Sequence, residues 1–406
     1  MLRIEIFNDI EKVQVYWQFI QKMNPTYIFQ TYDWVKVWHD TIGVASKKLN
    51  HLQMQFVVVF DEKSYGKSDE ARNGKSNEPV LILPLEKNSA RFICKYDLFD
   101  SIVFDYFNPI ANWEYFENLE NVEELVELLS KELPKVDALE FISLPDKIYK
   151  TKNPFVEYAG RRGRYRCGCG RLRKSETRAY SLTPSGPWEE YQKENIRSNI
   201  KTNTIKRIRQ LKALGNLSFN ILTDKSEIDK FLNILFEQKS KQYIRTQRED
   251  IFAKEEYRNF YLEITRRCFA NDGENAPSIQ ISYLTLDEKV IAIHWGGYFK
   301  RRFYYLMPSY DGESEFYKYA PGRVLMYYLF DWAFNNKIDT FDFTVGGEDY
   351  KKTWSNDVIS YYSLFIPANI KGKLFYGVRE LKRKILAGRG RGLRNQDNQV
   401  GGSRGE

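Results

Sequence analysis

The residues best suited to chemistry gather in the last third of the chain. The segment GGEDYKKTW puts Glu348, Tyr350 and Lys351 within four positions, directly after two glycines and the run DTFDFTV. A carboxylate at such a place can take a proton, a tyrosine can return one, and a lysine can stabilise an oxyanion as it forms. Glu348 and Asp342 are therefore candidate bases, Tyr350 a candidate acid and Lys351 a candidate oxyanion donor. Two consecutive glycines permit a sharp backbone path around a ligand. The nucleotide-binding spacing GxxxxGK[ST] is absent, which removes a phosphate-cradling P-loop. His294 sits on KVIAIHWGGYF with apolar neighbours alternating about it; most lone strand histidines are structural, and this one is a further candidate base.

A second group precedes these. APGRVLMYYLFDWAFNNK reads as a helix with Pro321 in its first turn. The amides of Arg323 and Val324 are expected to lack partners within the helix, and Gly322 removes the Cβ that would block close approach. The helix dipole and the Arg323 charge would suit a pyrophosphate, although Pro-Gly alone also makes an ordinary helix start.

The elements that must position these groups can be traced from hydrophobic periodicity. SIQISYLTL, KVIAIHWGGYF and RRFYYLMPSY predict an antiparallel meander with short turns at Asp287-Glu288 and Lys300-Arg301. Two helices precede it, over Lys225–Tyr243 and Lys254–Phe269, and before them a long basic helix around Glu194–Leu214. In DTFDFTV, Phe341, Phe343 and Val345 face one way and Asp342 the other. The first half predicts a helix over Asp9–Met23, then a helix bearing Trp34 and Trp38 on one face. Strands follow at Leu52–Phe60, Val80–Leu85, Arg91–Cys94 and Ser101–Tyr106, with a polar, mobile insert between the first two. The helix ENVEELVELLSKEL and the strand ALEFISLP close this half. Both halves run helix, antiparallel strands, helix, strand, so the expected class is α+β, two units of one topology.

Charge divides the chain unevenly. Its 406 residues carry 62 Lys+Arg against 54 Asp+Glu, a net +8, with 16% aromatic residues, enough to exclude a disordered chain. Residues 161–178 hold eight basic residues against Glu176 alone, interleaved with glycines, and show neither helical nor strand periodicity; the expected boundary is a basic linker there. The units are then 1–160 and 179–386, followed by a Gly/Arg-rich tail, 387–406, expected to be disordered. Four cysteines make no disulfide framework, and Cys167-Gly168-Cys169 has the wrong spacing for a zinc knuckle, so no metal is expected. No run approaches the roughly 18–20 uncharged apolar residues of a membrane span, and the start of the chain lacks a signal-peptide core. A reduced, cytoplasmic protein is expected.

KVIAIHWGGYFKRRFYYLMPSYD, YAPGRVLMYYLFDWAF and FDFTVGGEDYKKTW together resemble the CelD/BcsL-like acetyltransferases of the GNAT superfamily, similar in architecture to the FemABX aminoacyl transferases. TYIFQTYDWVKVW and NIRSNIKTNTIKRIRQLKALGNL also fit that pattern, so the resemblance spans most of 25–365, its specific part being the last hundred or so residues. It implies two tandem GNAT-like domains with a degenerate N-terminal copy. Acetyl-CoA as co-substrate would bind at Pro321, Gly322, Arg323 and Val324, with Tyr305 and Met307 on the preceding strand flanking the pantetheine arm. Tyr350-Lys351 falls where FemABX proteins carry an aromatic-Lys pair important for transfer, which makes Lys351 the leading catalytic candidate. The acceptor would be a sugar or exopolysaccharide or other cell-envelope precursor, contacted by Arg207, Arg209, Tyr304 and Trp295. The usual Q/R-x-x-G-x-G/A motif is missing, with YAPGRV a partial substitute, so the donor rests on the resemblance.

Two other readings are open. A FemABX-type transferase would take its acyl group from aminoacyl-tRNA, with 193–212 and 161–178 against the acceptor arm. An RNA-binding protein would use the same basic stretches with Tyr158, Tyr165 and Tyr180, but no known RNA-binding module is recognisable and no stable nucleic-acid partner is expected.

Overall fold

The computed structural model describes residues 1–46, 53–62, 78–90, 92–99, 101–106, 108–161, 171–271, 273, 275–336 and 338–400. The first half opens with β1 (Leu2–Phe7), α1 (Gln14–Met23) and α2 (Tyr32–Trp38). The strands β2 (Gln53–Asp61), β3 (Pro79–Ala90), β4 (Ile93–Leu98) and the short β5 (Ile110–Ala111) follow. Then come α3 (Trp113–Glu117), α4 (Leu119–Glu132), β6 (Ala138–Pro145), the hairpin β7 (Lys147–Ile148) and β8 (Thr151–Lys152), and α5 (Pro154–Gly160).

The second half runs β9 (Arg171–Leu182), α6 (Trp188–Asn195), α7 (Ser198–Lys212) and β10 (Leu217–Ile221). After α8 (Ile228–Arg245) and α9 (Glu255–Cys268), the meander is β11 (Ser278–Leu286), β12 (Lys289–Phe299) and β13 (Arg302–Tyr310). It ends with α10 (Pro321–Asn335), β14 (Thr340–Val345), α11 (Asp349–Trp354), β15 (Asp357–Pro367) and α12 (Ile370–Val400).

Thirteen strands form one mixed sheet, flanked by helices, in the order β1-β2-β3-β4-β6-β15-β9-β14-β13-β12-β11-β10, with β5 beside β3. Each half repeats one plan. An antiparallel meander ends in a parallel neighbour reached through a helix: β4 pairs β6 over Lys95–Asp97, and β13 pairs β14 over Arg302–Tyr304. One strand then joins the halves. β15 pairs with β6 of the first and with β9 of the second, while β9 pairs on its other edge with β14.

Local chemistry supports these elements. Asn118 and Asn153 cap α4 and α5 through side-chain oxygens that accept backbone N–H groups, and Pro154 takes the first position of α5. The turns Asp287-Glu288 and Lys300-Arg301 have positive φ at both central residues, the twist that suits tight hairpins. On α4, Val122, Leu125, Val126 and Leu129 are buried as their spacing predicts.

Three expectations are corrected. Ser101–Tyr106 is a loop rather than a strand; it leaves the sheet so that Val103, Phe104 and Tyr106 can enter the core. Arg171–Arg178, expected to have no strand character, forms the first part of β9. It pairs only with β15, so its other edge and much of its surface face water, and alternation is lost. Residues 162–170, with Cys167 and Cys169, and the insert 63–77 lie outside the described residues. The backbone of α12 is helical past Leu386 to Val400, so the tail is helical as far as that residue; 401–406 lie outside the described residues.

The largest core belongs to both halves. Trp34 of α2 meets Phe260 of α9 at 5.4 Å and Trp295 of β12 at 6.0 Å. A second core lies under α10 and includes Phe303, Tyr305, Phe330, Phe341 and Phe343. A buried charge pair spans the short contact of β13 and β14: Arg302, in its first residue pair, donates through Nε to Oδ2 of Asp342, in its last, at 2.7 Å, with both side chains removed from water. The first half covers the pair. Tyr106 Oη donates to Asp342 at 2.9 Å, and the rings of Tyr27 and Tyr149 lie 5.3 and 5.4 Å from the guanidinium carbon. Burial works against the Arg302 charge, but Asp342 together with Tyr106, Tyr27 and Tyr304 holds the guanidinium pKa well above its ordinary value.

No helix among the described residues is long and apolar enough to cross a membrane. Asp342→Ala, which leaves Arg302 buried without its counter-charge, is expected to cost about 3–5 kcal/mol. The urea midpoint checks this, and a loss below about 1 kcal/mol would mean that water enters the site readily.

Candidate active site

The parallel contact of β13 with β14 lasts for three residue pairs, Arg302 to Tyr304 against Thr340 to Asp342. Beyond it the strands diverge. From Tyr305 onward β13 has only β12 beside it, and there a bulge shifts the register between Trp295 and Gly297. Backbone groups of β13 that point away from β12 are thus left facing a wedge-shaped opening. On the other side β14 bends at Thr344, whose φ of 57° is strained for a β-branched residue. Its N–H donates to Asp342 Oδ1 at 2.7 Å, which holds the bend in place.

Five of the expected residues come together around this opening. His294 is fully buried and stacks on Tyr305 with centroids 4.5 Å apart and planes 7° apart. Tyr305 meets Phe343 at 6.0 Å, and Phe343 meets Tyr350 at 6.2 Å. Burial, then Glu348, pushes the Tyr350 hydroxyl pKa well up, so it stays protonated as an acid must. Lys351 is buried on α11, where its Nζ donates to Val345 O at 2.5 Å and lies 3.3 Å from Glu348 Oε2. Gly346 makes room for this arrangement, since a Cβ there would fall on Glu348 Oε2 and Lys351 Nζ. Glu348 is half exposed at the mouth.

His294 has neither ring nitrogen hydrogen-bonded among the described residues. Burial, with a smaller contribution from Lys239, lowers its pKa to about 3, so the imidazole is neutral at physiological pH.

Four expected residues lie elsewhere. Asp342 spends its oxygens on Arg302, Tyr106 and the Thr344 amide, which makes it an anchor of the opening rather than a free base. Trp295 and Tyr304 are core residues. The Trp295 indole donates to Thr265 Oγ1 at 2.8 Å, and Tyr304 Oη accepts the Ile28 amide at 3.2 Å. Met307 joins the same core. These side chains project from β12 and β13 toward the first half, and no acceptor can reach them there.

The helix start also differs from expectation. Ala320 adopts a left-handed conformation (φ 50°) that turns its carbonyl back over the first turn of α10. The amides of Arg323 and Val324 both donate to it, at 3.0 and 3.3 Å, and so are not free. Pro321 has no N–H, and the Gly322 amide has no hydrogen bond among the described residues. A Cβ on Gly322 would come 2.9 Å from the Tyr310 ring, so glycine is needed for the helix to sit this close to β13. Arg323 is exposed beside this start. Arg207 of α7 donates to Lys318 O and pins the segment leading into α10; Arg209, two positions on, is exposed on another face. The two arginines therefore do not act on one ligand.

Two ionisable groups at the opening carried no readable signal. Lys239 of α8 is buried, and burial, aided by Arg248, lowers its pKa to about 8 despite the pull of Glu348. Asp105, in the loop after β4, is pushed up to about 6 by burial; Thr344 hydrogen-bonds it and the Lys351 charge opposes the rise. One sits mid-helix among lysines and the other in a misread strand. No group of three or more His, Cys, Asp or Glu is arranged to hold a metal among the described residues.

Residues 198–352 match the family model described as an acetyltransferase (GNAT) domain. No curated protein matches the sequence. Among solved structures the chain is similar to FemX, with 10% identity and a TM-score of 0.54 over 92% of this chain and 99% of that one. It is similar also to a conserved protein of unknown function from Bacteroides thetaiotaomicron VPI-5482, with 10% identity and a TM-score of 0.52 over 90% and 100%. A tandem GNAT protein from the clavulanic acid biosynthesis pathway gives 9% identity and a TM-score of 0.40 over 91% and 99%. At these identities the likeness is one of fold. The chain has an α+β fold of two units of one plan, similar as a whole to FemX, and residues 198–352 of its second half match the GNAT acetyltransferase domain model.

Lys239 offers a test of the electrostatics. Its pKa is lower folded than unfolded, so between about pH 8 and its ordinary 10.5 the unfolded chain holds more protons and stability rises with pH. The slope from one such group is about 1.4 kcal/mol per pH unit. Urea midpoints at several pH values across that window should rise more steeply for the native chain than for Lys239→Met; equal slopes would show that Lys239 remains charged.

Proposed function

We propose that the second half transfers an acyl group, with acetyl-CoA as the donor, to an amine or hydroxyl of a sugar or cell-envelope precursor such as an exopolysaccharide unit. The observation that carries this reading is the divergence of β13 from β14 beside Lys351, Tyr350 and Glu348. A thioester arm entering that wedge would find unpaired strand amides along β13, and its pyrophosphate would meet the Gly322 amide and Arg323 at the start of α10. The CelD/BcsL-like resemblance supports the same donor and acceptor class.

Transfer then needs a proton acceptor, a stabilised oxyanion and a proton donor. Lys351 has three N–H groups; one serves Val345 O and another Glu348, which leaves a third for an oxygen gaining charge. Glu348 and Asp105, on either side of Lys351, are the carboxylates available to take the proton of the attacking amine or hydroxyl. Tyr350 can protonate the leaving thiolate. Direct attack is the reading: the cysteines among the described residues, Cys94 and Cys268, are buried, and burial pushes the Cys268 thiol up to about 12.

An aminoacyl-tRNA donor is the second reading, favoured by the overlap with FemX along nearly its whole length. The donor is decided by incubating the protein with acetyl-CoA and a panel of amino sugars and sugar nucleotides, and separately with charged tRNA, and following product by mass spectrometry. Lys351→Ala should lower kcat by about 100-fold or more with a small change in KM. Near-normal turnover would remove Lys351 from the chemistry. Asp105→Asn and Glu348→Gln should differ in the pH profile, and the true base is the one whose loss abolishes the acid limb.

A further inference from the structure

The last helix presents a face that nothing in the described fold covers. α12 rests on the sheet through one side: Tyr376 lies 5.1 Å from the Phe365 ring, and Arg379 Nη1 donates to Glu140 at 2.6 Å. On the opposite side Ile370, Leu374, Val378, Leu381 and Ile385 are 75, 67, 55, 60 and 49% exposed. At 3.6 residues per turn these five fall within about 80° of one another and run for roughly 22 Å. They form a continuous apolar stripe rather than scattered surface residues, and a stripe of this kind marks an interaction site.

Lysines border the stripe on both edges. By the same helical geometry Lys371 and Lys382 stand along one edge and Lys373 and Lys384 along the other. Glu380 is the one acidic residue between 370 and 385, against six basic ones. Lys371 is held by Asp137 at 2.9 Å, whereas Lys373, Lys382 and Lys384 have no ion-pair partner among the described residues.

This combination selects among occupants. A nucleic acid would use the charge but leave the stripe in water. A second copy of the helix would cover the stripe but bring rows of lysines together, and like charges at helix spacing repel. An anionic bilayer surface answers both features. The apolar side chains enter the acyl boundary while the lysines extend their stems along it and keep their ammonium groups at the headgroup phosphates. We propose that α12 is a docking helix that lies in the plane of an anionic membrane surface. The inference rests on α12 alone and holds whichever acyl donor the opening takes.

The test is co-sedimentation of the full chain with vesicles of mixed phosphatidylglycerol and phosphatidylcholine, and with phosphatidylcholine alone. Binding is expected to the anionic vesicles, to weaken with salt, and to fall about tenfold or more in a Leu374→Ser, Leu381→Ser double variant and in Lys373→Glu, Lys384→Glu. All four positions are exposed, so thermal unfolding of the variants should match the native chain, and sedimentation velocity should give the same mass for each. Absence of binding to the anionic vesicles overturns the proposal. So does equal binding by the Leu374→Ser, Leu381→Ser chain, or a dimer that depends on the stripe and does not bind vesicles.

Discussion

The buried pair of Arg302 and Asp342 is the constraint on which the rest of the structure depends. It ties the start of β13 to the last paired residue of β14, across the whole stretch where they run together, so the opening beyond begins at a fixed point. Two charges without water are held only if every remaining hydrogen-bonding position is met. Asp342 meets this with Tyr106 Oη and the Thr344 amide, and Arg302 with the faces of Tyr27 and Tyr149. Three of these partners come from the first half. The first half, where the sequence offers no catalytic candidate, therefore supplies the walls that keep the pair dry, and with it the shape of the site.

The strand β15 carries the same coupling through the backbone. It pairs with β6 of the first half and with β9 of the second, so the halves cannot separate without breaking a ladder. The strain at Thr344 belongs to this arrangement. Its left-handed conformation turns the end of β14 toward Gly346, so that Glu348 and Lys351 fold back over the opening and Asp105 reaches Thr344 from the first half. Backbone strain at a β-branched residue persists only where surrounding contacts over-determine it, and here they do.

How much could be read in advance depended on the kind of signal. Strands β11 to β13 alternate cleanly and end in tight turns, so their pattern is local and was legible. Pro321 marks the start of α10, but the loss of the expected free amides of Arg323 and Val324 has no local signal, because the left-handed Ala320 that takes both leaves no compositional trace. β9 was hidden by its surroundings: a strand paired on one edge and wet on the other has no reason to alternate. Trp295 and Tyr304 are expected at the acceptor, yet which face of a strand meets a core is decided by the element packed upon it.

What the sequence by itself determined was the α+β class, the repeat of one plan in two halves, and the cluster Glu348, Tyr350 and Lys351, because each rests on neighbours within a few positions. Tertiary structure alone decided that Asp342 is an anchor, that His294 is neutral and stacked on Tyr305, and that Lys239 and Asp105 face Lys351's surroundings. The physical reason is that burial and opposing charge set a titratable group's state, and both are supplied by residues up to more than two hundred positions away, brought close only when the two halves close on one another.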